Sequence, residues 1–355
     1  MKNNNNGPTE FANPLLGLTE YIQSISQSVA DKRIEDLAST LGSGATASRD
    51  VIREELAAMA DSARQSLIES ASYSARPYSG GPSAAFVETT TAKNIRRAMA
   101  AAKSADRYLV LVSGPAGSGK TYPALQVALR TGRPVYPFEV SEASTLDDLF
   151  LRPWVVGAGA MGWIEGPAVR AAREGGVLLL DECDLASPRL IGGLHGLLEC
   201  GQMRLRSGEW LQAHPDFLVI ATCNGLRNSK GSYSTHAIST AFADRAVFVA
   251  ADYLSEADET AILTSYAPED IARETCQDLI ALRRLFDNGQ LRIAPSTRRG
   301  AVVASARAAG ASRAEAWQMA MVAGLDAATA ESVGRLLAAA EATRVVTNTQ
   351  TAVVQ

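Results

Sequence analysis

Apolar positions divide the chain into two rhythms. Between residues 109 and 249, short unbroken aliphatic runs alternate with stretches whose apolar residues recur at three and four. Leu109-Val110-Leu111-Val112 is a run of the first kind, and Ala124, Leu125, Val127, Ala128 and Leu129 have the second spacing. Further runs at Val135 to Val140, Val177 to Leu180, Phe217 to Asn224 and Ala246 to Val249 predict strands. Helices are predicted through Ile95, Met99 and Ala102, with Thr91 as cap, and over Ala168 to Glu174, where Gly175-Gly176 ends the pattern. Trp154 to Trp163, rich in glycine and tryptophan, predicts a hairpin or loop. Aliphatic runs without alternation belong to strands covered on both faces, and strands alternating with helices give a parallel sheet with right-handed crossovers. The fold class expected is therefore α/β.

From Leu254 the strand rhythm stops. Glu256 to Tyr266, Glu269 to Phe286, Thr297 to Gly310, Arg313 to Gly324 and Glu331 to Glu341 all have helical periodicity, which predicts a second, all-helical domain. Ahead of the sheet, Leu18, Ile22, Ile25 and Val29, then Ile34, Leu37 and Leu41, form an amphipathic stripe broken at Gly42-Ser43-Gly44. A second stripe runs through Ile52, Leu56, Met59, Ala63 and Leu67, and Arg76-Pro77-Tyr78-Ser79-Gly80-Gly81-Pro82-Ser83 reads as a linker. The expected organisation is an N-terminal helical arm over 1–85, disordered at its asparagine-rich start, an α/β domain over 86–252, a helical lid over 253–345 and a tail over 346–355.

Composition narrows the function classes. The chain has 355 residues, 46% of them hydrophobic, and a formal net charge of −4, so no overall basic field points to nucleic acid. No apolar run approaches the roughly 18 residues of a membrane span, and MKNNNNGPTE lacks signal-peptide features. A cytoplasmic location is the expectation. The four cysteines and three histidines show neither C-x-x-C nor metal-ligand spacing.

The junction between the first run and the first helix carries the chemistry. Gly114-Pro115-Ala116-Gly117-Ser118-Gly119-Lys120-Thr121, followed by Tyr122, fits the G-x-x-x-x-G-K-T pattern of a phosphate loop. Glycines turn backbone N–H groups inward without Cβ clashes, and the helix N-terminus adds partial positive charge. Lys120 reaches the β- and γ-phosphates, and the Thr121 hydroxyl ligates Mg²⁺. About sixty residues on, Val177-Leu178-Leu179-Leu180 ends in Asp181-Glu182, a position that sets both acids at the carboxyl edge of the sheet. Asp181 there can hold Mg²⁺ through its water shell, and Glu182 can polarise a water for attack on phosphorus. Asn224, at the end of another run, falls at the same edge, where it can orient that water.

In this order the pieces resemble the AAA+ ATPases, and more narrowly their MoxR-type branch, over about residues 86 to 341. Gly166-Pro167-Ala168-Val169-Arg170-Ala171 leading into Leu178-Leu179-Leu180-Asp181-Glu182, and Leu194 to Glu199 (LHGLLE), carry the likeness most specifically. Asn224, the segment Gly231-Ser232-Tyr233 and Asp244-Arg245 look most like the subgroup of the cobaltochelatase small subunit and the rubisco- and nitric-oxide-reductase-activating ATPases. Ala246 departs from that pattern, which often has an aromatic there.

The resemblance implies a P-loop sheet followed by a helical lid, and a homo-oligomeric ring, a hexamer, that hydrolyses ATP with Mg²⁺. It places Gly114 to Thr121 at Walker A, Leu178 to Glu182 at Walker B and Asn224 at sensor 1. Arg245 falls at the arginine finger given to the neighbouring subunit, and Arg298 at sensor 2 on the lid, with Arg299 the competing position. Trp154 to Trp163 and Gln202 to His214 match two inserts that face the ring's pore. The implied output is remodelling of a client or adaptor protein, often one with a von Willebrand A domain. Two other outputs stay open. One is a nucleic-acid motor using Arg204 and Arg206, disfavoured by the acidic net charge; the other is a nucleotide-gated scaffold with little turnover.

Overall fold

The computed structural model describes residues 75–156, 160–225, 238–291 and 295–338. The amphipathic stripes between 18 and 67, the segment 231–233 and the end of the last expected helix lie outside these residues. Residues 75–152 and 165–338 belong to one compact unit, and 153–164 are assigned to another.

Helix α1 (Thr90–Ser104) leads into β1 (Leu109–Ser113). The expected cap at Thr91 is two residues late. Thr89 is extended and its side chain accepts the N–H of Ala92, while Thr91 is buried within the first turn. Then come α2 (Thr121–Leu129), β2 (Val135–Glu139), the single-turn α3 (Leu146–Leu149), β3 (Leu151–Val156), β4 (Ala160–Glu165) and α4 (Pro167–Glu174). Strands β3 and β4, in the stretch expected to be a hairpin or loop, form a two-stranded sheet of their own. α4 starts with Pro167 in its first turn and stops at Gly175, φ 68°. β5 (Val177–Asp181), α5 (Pro188–Cys200), the ribbon β6 (Gln202–Arg204) and β7 (Trp210–Gln212), β8 (Leu218–Cys223), α6 (Thr240–Asp244) and β9 (Ala246–Ala250) complete the α/β part.

The main sheet has the order β2-β5-β8-β1-β9, and its pairings are parallel. Val110, Val112, Leu179 and Ile220 on one face join Ile95 and Met99 of α1 and Ala124 and Val127 of α2 in a single core. The alternate residues Leu109, Leu111, Leu178 and Leu180 are also fully buried, on the other face, which is why the runs show no polar alternation. Each large aliphatic so buried contributes about 1.5–3 kcal/mol relative to exposure.

The helical part comprises α7 (Glu256–Leu263), α8 (Glu269–Asp287), α9 (Thr297–Ala308), α10 (Arg313–Ala320) and α11 over 327–338. Leu263, Leu279, Leu282, Val303, Trp317 and Val333 lie in its core. Two expected spans change. α10 ends at Ala320 and a 3₁₀ turn, Val322–Gly324, follows; α11 starts four residues before Glu331, where the Asp326 carboxylate accepts the Thr329 N–H at 3.0 Å.

Two buried ion pairs cross this core. Glu259, fully buried, accepts Arg283 Nη1 and Nη2 at 2.6 and 2.7 Å and the Thr297 hydroxyl at 2.7 Å, while Arg283 Nε donates to the Pro295 carbonyl at 2.9 Å. Asp278 accepts Arg313 at 2.8 and 2.6 Å and the Trp317 indole N–H at 3.0 Å. Such pairs add little net stability when intact, yet losing one partner strands a charge away from water. Arg283→Ala is expected to cost about 3–5 kcal/mol in urea unfolding of the helical part. A variant within 1 kcal/mol of the parent, on that order-of-magnitude scale, would mean Glu259 finds another cation.

Candidate functional site

Strands β1, β5 and β8 run parallel and in register, with Leu180 beside Ala221 and Ser113 beside Cys223, so they end at one level. The polar groups at that edge come from the last residues of these strands and from those that follow them.

After β1 the chain turns over the edge. A Cβ on Gly114 would lie 1.9 Å from the Ala251 carbonyl oxygen, so only glycine fits. Gly117 and Gly119 are left-handed, φ 78° and 76°. Ser118 is buried and its hydroxyl has no partner among the described residues. Lys120 stands just before α2 and its side chain folds back over the loop, donating to the carbonyls of Gly114 at 3.0 Å and Pro115 at 2.8 Å, and to Asn224 Oδ1 at 3.0 Å. The Thr121 hydroxyl donates to Asp181 Oδ1 at 2.7 Å. Tyr122, half exposed, meets the Phe86 ring edge-on.

The acids at the end of β5 and just beyond it are fastened to residues at the end of β8 and just beyond it. The Thr222 hydroxyl donates to the same Asp181 oxygen and accepts the Glu182 N–H at 3.1 Å. The buried Asp184 accepts the Asn224 N–H at 3.2 Å. Glu182 stands in a left-handed conformation, φ 56° and ψ 44°, which costs a side-chain-bearing residue about 1–2 kcal/mol. Its side chain is exposed. Burial pushes the Lys120 ammonium below its ordinary pKa, against the opposing pull of Cys223 and three carboxylates; burial and the neighbouring Asp181, Asp184 and Glu139 push Glu182 up.

The edge thus brings together the glycine loop, Lys120, Thr121, Asp181, Glu182 and Asn224. Neither Arg245 nor Arg298 bonds to any of these groups among the described residues. Arg245, at the end of α6, is in ion-pair contact with Glu199 at 2.6 Å through Nε, whose N–H is not aimed at the carboxylate, and its Nη1 donates to the Ala241 carbonyl. Arg298, in the first turn of α9, is exposed and makes no hydrogen bond or ion pair among the described residues. Arg299 differs, since its Nη1 donates to the Ala320 carbonyl inside the helical part. On the β6–β7 ribbon, Arg206 pairs with Asp147, and Trp210 is 67% exposed.

Sequence reading missed Thr222, Asp184, Tyr253 and Ser296. Tyr253 sits under the Arg283 guanidinium at 4.4 Å and places its hydroxyl 3.5 Å from the Ala116 carbonyl; Ser296 lies against Gly117, 2.9 Å from where its Cβ would be. Asp184 was visible as the third acid of Asp181-Glu182-Cys183-Asp184, whereas a threonine inside a strand carries no chemical signal of its own.

These groups suit a bound nucleotide triphosphate and its cation. The loop offers backbone donors and an ammonium to phosphate. The Thr121 hydroxyl spends its proton on Asp181, which leaves its lone pairs for a hard cation. Among the described residues no group of three or more His, Cys, Asp or Glu could hold a metal.

Comparison with known proteins adds the ancestry. A family model described as AAA domain (dynein-related subfamily) matches residues 109–246. The denitrification regulatory protein NirQ of Pseudomonas aeruginosa is 34% identical over 182 residues, covering 50% of this chain and 67% of that one. The chain belongs to the MoxR-type branch of the AAA+ family. NorQ of Paracoccus denitrificans is 34% identical over 125 residues, 35% of this chain and 46% of NorQ, and NirQ of Stutzerimonas stutzeri 33% over 182 residues, 50% and 64%. The matches therefore span about half to two thirds of these AAA+ relatives. The sheet followed by a helical part is the AAA+ architecture, and among the described residues no helix is long and apolar enough to cross a membrane.

The close approach at Gly114 yields a test. Gly114→Ala is expected to displace the loop from Ala251, to lower stability by about 1–3 kcal/mol and to weaken binding of a fluorescent ATP analogue. Unchanged binding would show that the loop tolerates the shift.

Proposed function

We propose that this protein is an ATP hydrolase that works with Mg²⁺ at the interfaces of a homo-oligomeric ring, a hexamer, and uses the energy to remodel or activate a partner protein. The observation that carries the reading is the Lys120 ammonium joined to both the glycine loop and Asn224, next to the Thr121–Asp181 contact. One edge thereby holds a phosphate cradle, oxygen ligands for a cation and two groups for a water.

In this reading the N–H groups of Gly114 to Thr121 and the Lys120 ammonium bind the β- and γ-phosphates, and Thr121 and Asp181 hold the cation. Bound Mg²⁺ would neutralise charge on the phosphate oxygens. Glu182, whose pKa is raised, takes the proton of the attacking water, and the Asn224 amide orients that water. Arg245 serves the neighbouring subunit's nucleotide. Its position at the end of α6, paired with Glu199 and with no bond to its own chain's glycine loop among the described residues, supports a role in trans, where such a cation is worth about 10³–10⁵ in rate. Arg298, exposed at the start of α9, contacts the same nucleotide from the lid, and its loss of contact after hydrolysis turns the lid about the Ala251–Leu254 connection.

The partner is a protein. NorQ and NirQ are relatives, and NirQ is described as a denitrification regulatory protein, which supports a regulatory output; a client with a von Willebrand A domain fits the branch. The exposed Trp210 on the β6–β7 ribbon is the candidate client contact.

Lys120→Ala should abolish nucleotide binding, whereas Arg245→Ala should bind ATP normally and lose hydrolysis by at least about 10³-fold. Mixing Glu182→Gln with Arg245→Ala should restore turnover, because some interfaces then pair an intact Glu182 with an intact Arg245. A mixture that assembles and stays inactive would overturn the shared-site mechanism.

A further inference from the structure

The geometry assigns a further positioning residue for this reaction, Thr222, whose single hydroxyl sets both acids of the Asp181-Glu182 pair. The inference rests on the hydrolytic reading above.

Thr222 is the fifth residue of β8 and is 1% exposed, so its hydroxyl has no access to bulk water and must find its partners within the protein. It finds two on the adjacent strand. The O–H donates to Asp181 Oδ1, and a lone pair of the same oxygen accepts the Glu182 N–H at 3.1 Å. A hydroxyl has one proton and two lone pairs, so this oxygen links two consecutive residues with opposite needs, a carboxylate that only accepts and an amide that only donates.

Each bond fixes something different. Asp181 Oδ1 receives two protons, from Thr121 and from Thr222, which holds the carboxylate in one rotamer and leaves Oδ2 to face a hydrated cation. The bond to the Glu182 N–H holds the left-handed turn at that residue, a conformation that glutamate does not favour unaided. Asp184 secures the same turn from its far side through the Asn224 N–H, so the segment 181–184 is pinned to 222–224 at both ends. Thr222 touches neither nucleotide nor water in this scheme. It acts through Asp181 and Glu182.

Thr222→Val keeps the branched shape and removes only the hydroxyl, and Thr222→Ser restores it. The measurements are steady-state ATP hydrolysis, equilibrium binding of a fluorescent ATP analogue without divalent ion, and half-saturation of the nucleotide complex by Mn²⁺ followed by its electron paramagnetic resonance signal. Thr222→Val is expected to lower kcat by about 10–100-fold and to weaken Mn²⁺ uptake by a similar factor, the usual loss when a partner behind a metal ligand is removed. Its metal-free nucleotide affinity should stay within about twofold of the parent, because the glycine loop is untouched. Thr222→Ser should recover most of both losses. Parent-like kcat and Mn²⁺ uptake in Thr222→Val, or a serine variant as impaired as the valine one, would overturn the assignment. If Thr222→Val does not fold, Thr222→Ala against Thr222→Ser makes the same comparison. A parent protein that binds ATP and Mn²⁺ without turnover would instead refute hydrolysis, and Mn²⁺ uptake would still decide for or against Thr222.

Discussion

Three parallel strands that stop at the same level determine what the rest of the molecule can do. Parallel pairing gives every strand the same polarity, so the first polar residue after each aliphatic run emerges at one rim. β1 delivers the glycine loop, β5 the acids and β8 the asparagine, and the register of Leu180 with Ala221 and Ser113 with Cys223 leaves these within hydrogen-bonding reach of one another. A slip of a single residue in β8 would exchange Thr222 for a neighbour whose side chain points to the other face, and the links to Asp181 and Glu182 would go with it. The buried leucines and valines beneath the rim are therefore part of the site's precision as well as of the protein's stability.

The two arginines obey a different constraint. Arg245 and Arg298 are mounted at helix ends, one paired with Glu199 and the other exposed, while Arg299 is occupied within the helical part. In the proposed role, a cation needed at a γ-phosphate is effective because it is held in a low-dielectric site, and it must arrive there without first collapsing onto Asp181 and Glu182 of its own chain. Keeping Arg245 against Glu199 satisfies that requirement in the single subunit. It also means that a ring, if it forms, has to offer the guanidinium something better than a half-exposed carboxylate, and a surface ion pair worth about 0–1 kcal/mol is a weak competitor.

Much of this was legible in the sequence because it depends on runs and spacing. The aliphatic runs gave the sheet strands, the G-x-x-x-x-G-K-T spacing gave the loop, and the position of Asp181-Glu182 at the end of a run placed the acids at the rim. What escaped was set by tertiary contact. The true cap of α1 is Thr89 because extended backbone there, invisible in the residue types, beats Thr91; α11 starts early because the Asp326 carboxylate accepts the Thr329 N–H. Thr222 looked like any β-branched strand residue, since its role depends on which strand lies beside it. Ser296 and Tyr253 belong to segments about 180 and 137 residues from the glycine and the alanine they touch, Gly117 and Ala116, a separation that no local pattern encodes.

Those last two contacts bear on how the helical part could sense the loop. From the Ala116 carbonyl the chain of contacts runs through the Tyr253 hydroxyl to the Arg283 guanidinium stacked on the tyrosine ring, and from Arg283 to the Pro295 carbonyl and, through Glu259, to Thr297 at the start of α9. Every link beyond the tyrosine is buried or nearly so, and buried ion pairs with bidentate geometry resist bending, so Arg283, Glu259 and the start of α9 move as one piece if they move at all. The soft points are then the 3.5 Å contact at Ala116 and the packing of Ser296 on Gly117. A ligand in the glycine loop can shift the helical part only by as much as it favours one arrangement of these two contacts over another, because a ligand without differential contacts moves no equilibrium. Arg298 stands one residue beyond Thr297, at the end of the stiff segment, so a small displacement at the two soft contacts would be carried to the backbone that bears its side chain.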